Sequence, residues 1–529
     1  MSYFNVYFAF LFIPALIIIY NLMPKKVRPF ILLLASFGFF FVVSKVRIVF
    51  IILSILSIYF IGLWMDKIDD KRDKELENAD ADSKKVIKNK YKNRKRWVLI
   101  FGILFNVSFL FFFKYLNFFL KNTNLLLDVF NVDYKFSTVK FLSPIGISFY
   151  TLMALSYVLD VYNNKIKADK NPFRVALYLS FFPQIMEGPI TRYSATANDL
   201  YSGNTVTYNN FCLGYQRVLY GFLKKIIISD RLNIVVKTIF NGYAAYSGTA
   251  VFFGAIAYTI MLYMEFSGTM DIIIGIGEMF GVKITENFRQ PFFSKNISEF
   301  WMRWHISLGA WFKDYIFYPI SLSKPMKKLT LKARKVLGNH IGPLISGAVA
   351  LFVVWFLNGL WHGAGWVFLL YGMYQFTLIL LGNLFEPLIK KICEKLHINR
   401  KNIVYRVMQS VKMTFFVFIG ELIFRADGVR AAISMIKRIF TKFSFASFGN
   451  GELLSLGIDG YDMLVIGVVL VVIFIISLLK EKGINVREEI SKKPIALRWT
   501  IYYLLILAII VFGAYGPGYI PVDPIYADF

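Results

Sequence analysis

Apolar runs long enough to cross a bilayer recur from Phe4 almost to Ala514, and that repetition leaves room for few other folds. A hydrocarbon core of ~30 Å takes roughly 20 residues of helix, and roughly eleven to thirteen runs reach or approach that length, some short enough to be re-entrant. Because a backbone in lipid must satisfy its own hydrogen bonds, each run is expected to be helical. Composition agrees: 57% of the 529 residues are hydrophobic, 18% are aromatic, and mean hydropathy is positive. A soluble domain of this length could not bury so much apolar surface. The expectation is an all-α polytopic membrane protein, a single membrane domain over 1–529.

The formal charge of +27 does not point to nucleic acid, because the basic residues punctuate the apolar runs and build no basic surface of their own. Lys25, Lys26 and Arg28 follow the first run, a mixed charged segment from Asp66 to Arg96 follows the third, and Lys165, Lys167 and Lys170 follow a later one. Positive-inside counting makes these cytoplasmic and the N-terminus external. Lys324, Lys327, Lys328, Lys332, Arg334 and Lys335 form another cytoplasmic patch, fit for anionic lipid or an acidic carrier. No basic residue precedes the run from Phe4 to Tyr20 and no small-residue cleavage pattern follows it, so it reads as a retained helix. Cys212 and Cys393 lack the spacing of a disulfide framework, a redox pair or a thiolate metal site.

Chemistry therefore falls to a few polar residues set among apolar ones. His362 sits in Leu357-Asn358-Gly359-Leu360-Trp361-His362-Gly363-Ala364-Gly365-Trp366, between two apolar runs. On a helix, Trp355, Asn358 and His362 share a face. Gly359 and Gly363 would let a neighbouring backbone approach closely, and Gly365 is a natural break. An ionisable group at membrane depth is costly and normally faces a bundle interior or cavity. Imidazole there suits general base work, taking a proton from a hydroxyl that attacks an acyl donor. His305 lies in a segment from Ile297 that reads as one amphipathic helix running toward Pro319. Trp301, His305, Leu308 and Phe312 would form one face, and Glu299 would pair with Arg303. His340 and His397 sit among basic residues in hydrophilic connections.

Further polar positions of buried character are Asp160, Glu187, Glu265 and Asp271, together with Glu421 and Arg425, which at i, i+4 can neutralise each other. Glu187 follows Pro183 and precedes Gly188-Pro189, which force non-helical backbone. The stretch from Tyr215 to Asp230, with Lys224 and Lys225 amid aliphatics, reads as amphipathic and interfacial.

Several of these segments together resemble the membrane-bound O-acyltransferases. They are Asn287-Phe288 through Pro291-Phe292, Phe300-Trp301 through Arg303-Trp304-His305, Trp361-His362-Gly363, Pro144 to Tyr150, Phe181 to Tyr193, and Tyr263 to Asp271. The resemblance covers most of 97–385, leaving N-terminal helices and a charged segment over 1–96 and C-terminal helices over 386–529. It implies a helical bundle around a central tunnel, with His362 as the catalytic histidine. His305 would be a second catalytic position, shaping the tunnel or binding the donor. Asn358, Trp361, Trp304, Glu187, Glu265 and Asp271 are the candidate lining residues. Glu265 stands where the family is expected to have aspartate, and Gln184 where alginate-type members often have histidine.

The chain's length and the segment Phe424-Arg425-Ala426 resemble the alginate-type branch, which implies O-acetylation of an exported or cell-surface polysaccharide in the bacterial plasma membrane. The implied donor is a cytoplasmic acyl thioester, acetyl-CoA or an acyl carrier protein. An extracytoplasmic acetyltransferase partner is implied beside the polysaccharide acceptor and the surrounding lipid. No metal and no tightly bound cofactor is required. Two other readings remain open at this point: D-alanyl transfer to teichoic acid, and a secondary transporter with both histidines on a proton path. The paired, related halves common in transporters are not visible in the sequence.

Overall fold

A computed structural model of the chain describes residues 3, 4, 7–139 and 142–515; the end of the C-terminal region, 516–529, lies outside the described residues. Helices dominate, and among the described residues the sole β feature is an isolated antiparallel bridge between Phe288 and Trp304. Contacts group the chain into two units, one of residues up to Gly214 with Ile273–Thr285, the other of Tyr215–Ile272 and the chain from Glu286 onward.

The first unit holds α1 (Ile13–Leu22), α2 (Arg28–Ser44), α3 (Ile48–Glu77), α4 (Ala81–Leu110), α5 (Leu116–Val129), α6 (Ile147–Tyr162), α7 (Pro172–Ser180) and α8 (Tyr193–Tyr201). The charged segment from Asp66 to Arg96 is helical, as the end of α3 and the start of α4, joined at 78–80. Its buried lysine, Lys95, is neutralised by Asp69 and also donates to Asn164 Oδ1 at 2.7 Å. Between α7 and α8 the backbone leaves the helical path, as the prolines dictate. There Tyr3 donates to the Phe182 carbonyl at 2.9 Å, and the Phe182 N–H donates to Ser36 Oγ at 3.1 Å. Side chains thus supply the hydrogen bonds that a helix would have made. Gly146, at φ +69°, lies against this segment so tightly that a Cβ would meet the Ile185 carbonyl at 1.7 Å.

Helices α9 (Tyr208–Phe222) and α11 (Gly248–Met279) run from one unit into the other in sequence, with α10 (Asp230–Gly242) between them. The second unit continues with the short α12 (Ile297–Trp301), α13 (Ile306–Phe312) and α14 (Tyr318–Ser321). The long α15 (Lys324–His362) and α16 (Trp366–Lys395) follow. Last come α17 (Ile403–Arg425), α18 (Gly428–Thr441), α19 (Gly460–Glu481), α20 (Val486–Ser491) and α21 (Ile495–Phe512). Among the described residues, eight helical stretches are long and apolar enough to cross a membrane, and Ile13–Leu22 and Ile147–Tyr162 are shorter apolar helices.

Within α15, Gly338 adopts φ +78° and Pro343 follows, so the basic patch from Lys324 to Lys335 and the apolar segment ending at His362 are separate helical pieces. Helices α15 and α16 then form a hairpin over the short link Gly363 to Gly365. Small residues set its closeness. A Cβ at Gly359 would lie 2.5 Å from the Phe368 carbonyl oxygen, and one at Gly372 would lie 2.3 Å from that of Trp355. In lipid, where apolar burial does not drive helices together, such backbone approach is a main source of association.

Most of the expected interfacial stretch from Tyr215 to Asp230 proves to be buried, although Tyr215 itself is exposed. Residues Leu223–Ser229 form a π-helical segment, and its wider turn sends Lys224 and Lys225 to different acids. Lys224 pairs with Asp271 of α11, and Lys225 pairs with Asp230 at 2.6 Å. Neutralisation by these acids removes the reason for a lysine to stay at an interface.

Candidate active site

Trp361 joins the two histidines that the sequence singled out. Its indole packs edge-on against His362, with ring centroids 5.0 Å apart, and against His305 at 5.7 Å. Both imidazoles are buried, at 5% and 3% exposure. Residues from distant parts of the sequence therefore meet at one aromatic side chain.

His362 is the last residue of α15. The helix stops there because the chain becomes extended at Gly363, φ −177°, and α16 starts three residues later. The His362 ring is enclosed by ring edges: besides Trp361 it meets Tyr371 at 6.0 Å and Phe424 at 5.1 Å. Asn358, one turn earlier on the same face, is also buried, and its Oδ1 has no hydrogen-bond partner among the described residues. Tyr371 donates to Glu421 Oε1 at 3.3 Å. That contact corrects the expected Glu421–Arg425 pair: Glu421 faces Tyr371, while the Arg425 guanidinium lies over the Phe240 ring. Trp355, on the face of Asn358 and His362, packs at 4.8 Å against Trp301, whose Nε1 donates to Gln375 Oε1 at 3.2 Å.

His305 stands at a break in what the sequence presents as one amphipathic helix. The chain is helical over Ile297–Trp301 and again over Ile306–Phe312, and His305 between them adopts the left-handed conformation, φ +47° and ψ +50°. Trp301, His305, Leu308 and Phe312 thus do not share one helical face. Such a conformation is strained for a residue with a Cβ. Asn287 holds it: its Oδ1 accepts from the Ser307 N–H at 2.9 Å, and its carbonyl accepts from the Ile306 N–H at 3.0 Å. These are orphan donors of a helix start, met from another segment of chain. The Phe288–Trp304 bridge fixes the same crossing. The expected Glu299–Arg303 pair forms at 2.8 Å, and Arg303 also binds Glu481 at 2.7 Å. His305 lies outside the candidate spans; its burial pushes the imidazole pKa down to about 3, so the ring is neutral.

The other candidates divide. Trp304 joins an aromatic cluster, stacked on Phe300 at 5.4 Å and meeting Phe288 edge-on at 5.1 Å. Phe266 of α11 links that cluster to the site, 5.0 Å from Phe288 and 4.8 Å from His305. Glu265, its neighbour, is fully buried and accepts from Thr269 at 3.4 Å. Asp271 is held by cations: Lys224 pairs with one carboxylate oxygen, and Arg217 Nε donates to the other at 2.9 Å. Arg217 also clasps Glu286 through both terminal nitrogens, at 2.7 and 2.6 Å. Glu187 is fully buried in the non-helical segment of the first unit. Sequence reading gave no site role to Asn287, Tyr371 or Gln375. Asn287 did stand in a segment that carried the family resemblance.

The sequence profile of the membrane-bound O-acyltransferase family matches residues 87–334, which takes in His305 and stops short of His362. The chain is 31% identical over 456 residues to the probable alginate O-acetylase AlgI of Azotobacter vinelandii, covering 85% of this chain and 81% of that one. It belongs to the membrane-bound O-acyltransferase family. This acyltransferase is a multi-pass protein of the bacterial membrane. It is also 30% identical over 370 residues to the peptidoglycan O-acetyltransferase of Helicobacter pylori, covering 65% of this chain and 64% of the relative. A teichoic acid D-alanyltransferase of Bacillus subtilis is 30% identical over 291 residues, covering 53% of this chain and 69% of the relative.

Proposed function

We propose that this acyltransferase O-acetylates an exported or cell-surface polysaccharide with His362 as general base, drawing the acetyl group from a cytoplasmic thioester. His362 takes the proton of an attacking hydroxyl as that oxygen bonds to the thioester carbonyl carbon. The tetrahedral oxyanion then collapses, the C–S bond breaks, and the departing thiolate takes the proton from the imidazolium. Asn358 is the candidate donor to the oxyanion, one helical turn from the base. His305 shapes the passage past Trp361. Enclosure by Trp361, Tyr371 and Phe424 keeps water from the thioester, which would otherwise be hydrolysed. A narrow tunnel between donor and acceptor sides and an extracytoplasmic partner that completes transfer belong to the same reading, as do acetyl-CoA or an acyl carrier protein as donor.

The observation that carries this proposal is the meeting of His362 and His305 at Trp361 inside a buried aromatic enclosure. Coverage by the alginate O-acetylase relative, over most of the chain, favours acetyl over alanyl. The test is ester analysis of the surface polymer by mass spectrometry, from cells with the wild-type protein, without it, and with His362→Ala. Acetyl esters should disappear in the last two while the variant still inserts in the membrane. Unchanged esters in the variant would remove His362 from the mechanism, and D-alanyl esters in their place would assign the second reading, teichoic acid alanylation.

A further inference from the structure

Two adjoining cavities of the second unit, about 470 and 250 Å³, share Phe292, Phe293 and Phe474. The Phe293 and Phe474 rings stack at 5.8 Å and stand between them as a partition. Residues of α11, α17 and α19, such as Ile256 and Val411, give walls that are almost wholly apolar. The larger volume lies in the range of a small-molecule site.

One end of the larger cavity differs in kind. Lys295 and Arg406 line it, both exposed, and neither forms an ion pair among the described residues. The one acid lining that cavity, Glu481, is already engaged by Arg303 through hydrogen bonds of 2.7 and 3.0 Å. Two uncommitted positive charges thus sit at the mouth of a two-lobed apolar groove. Lys390, Lys391, Lys395, Arg400 and Lys401 immediately precede α17, which by positive-inside counting puts this mouth at the cytoplasmic surface.

We propose that this groove is a binding site for an anionic diacyl glycerophospholipid of the inner leaflet. One acyl chain lies on each side of the Phe293–Phe474 pair, and the phosphate lies between Lys295 and Arg406. Acyl chains lose little by leaving one apolar setting for another, so selectivity comes from the headgroup. Each basic residue near an anionic membrane surface is worth about 5-fold in binding, which gives roughly 25-fold for the pair.

The experiment uses the full chain in vesicles doped with diazirine-tailed phosphatidylglycerol or, separately, phosphatidylcholine, with mapping of the cross-linked peptides. Phosphatidylglycerol should label the peptides of α17 and α19 that contain Val411 and Phe474 at least tenfold more than phosphatidylcholine. Joint Lys295→Gln and Arg406→Gln should bring the two within about twofold, and joint Lys295→Glu and Arg406→Glu should abolish the preference or turn it toward phosphatidylcholine. Ile256→Trp, which fills the groove and leaves its charges, should suppress labelling by both lipids. Both charged side chains are exposed, so size-exclusion profiles should match the wild type. Equal labelling by the two lipids, a preference that survives charge reversal, or chain-to-chain disulfide cross-links in Val411→Cys in place of lipid adducts would each overturn the proposal.

Discussion

Two buried polar centres of the second unit, one around Asp271 and one around His362, solve the problem of polarity in an apolar setting differently. Asp271 is matched by charge: Lys224 and Arg217 close on its two oxygens, and Glu286 balances Arg217. His362 is matched by shape, with Trp361, Tyr371 and Phe424 presenting ring edges to its imidazole. A carboxylate already held by two cations is committed to those pairings. The proposed mechanism asks the imidazole, enclosed by aromatic rings, to take a substrate proton. On the proposed mechanism the difference separates a residue that fixes the fold from one that serves chemistry; in the sequence both stood out as ionisable residues among apolar ones, His362 as the catalytic candidate and Asp271 as a lining candidate.

Substitutions can break or sharpen that separation. The largest effect is expected for His362→Ala: acyl transfer should fall by roughly 10² to 10⁴, the usual share of a general base, with the thermal unfolding midpoint close to wild type. Asp271→Ala should do the opposite. It leaves Lys224 buried without its counter-charge and should cost about 3–5 kcal/mol of stability, read in thermal unfolding of the purified protein. Joint Asp271→Asn and Lys224→Met should recover most of that loss, since both charges go together while Arg217 keeps Glu286. If Asp271→Ala instead left stability intact and abolished transfer, the two centres would not differ as described. Next is Gly359→Ala, whose Cβ would meet the Phe368 carbonyl of the facing helix. It should cost about 1–3 kcal/mol by forcing α15 and α16 apart, and transfer should fall with it because His362 lies one turn further on.

Much of this was legible in the sequence where a local signal existed. The membrane class followed from the apolar runs. A break near the end of α15 was marked by Gly365, although the helix stops earlier, at Gly363, and His362 was marked by the cost of an ionisable group in such a run. What escaped was decided between distant segments. Nothing in Met302-Arg303-Trp304-His305 announces a break, since no glycine or proline stands there; Asn287 and the Phe288–Trp304 bridge impose it from another stretch of chain. Lys224 and Lys225 look interfacial until Asp271, on a different helix, is placed beside the first of them. Glu421 and Arg425 have the spacing of a helical pair, yet Tyr371 of α16 and Phe240 of α10 compete for them and win.

Asn287 offers the smallest and most discriminating test, because it holds the turn at His305 and is structural like the ion-pair cluster. Its side-chain oxygen caps the start of α13, and losing a cap costs about 1 kcal/mol. Asn287→Ala should therefore lower stability far less than Asp271→Ala. Without the cap, however, the left-handed turn at His305 loses its restraint, and that imidazole can leave Trp361 and Phe266. Transfer should then fall more than the stability loss explains. Asn287→Asp, which keeps an acceptor for the Ser307 N–H, should restore part of it. Should Asn287→Ala cost stability and activity in the same proportion as Asp271→Ala, the turn at His305 would be scaffold alone, and the boundary between the two centres would have to be drawn at Trp361.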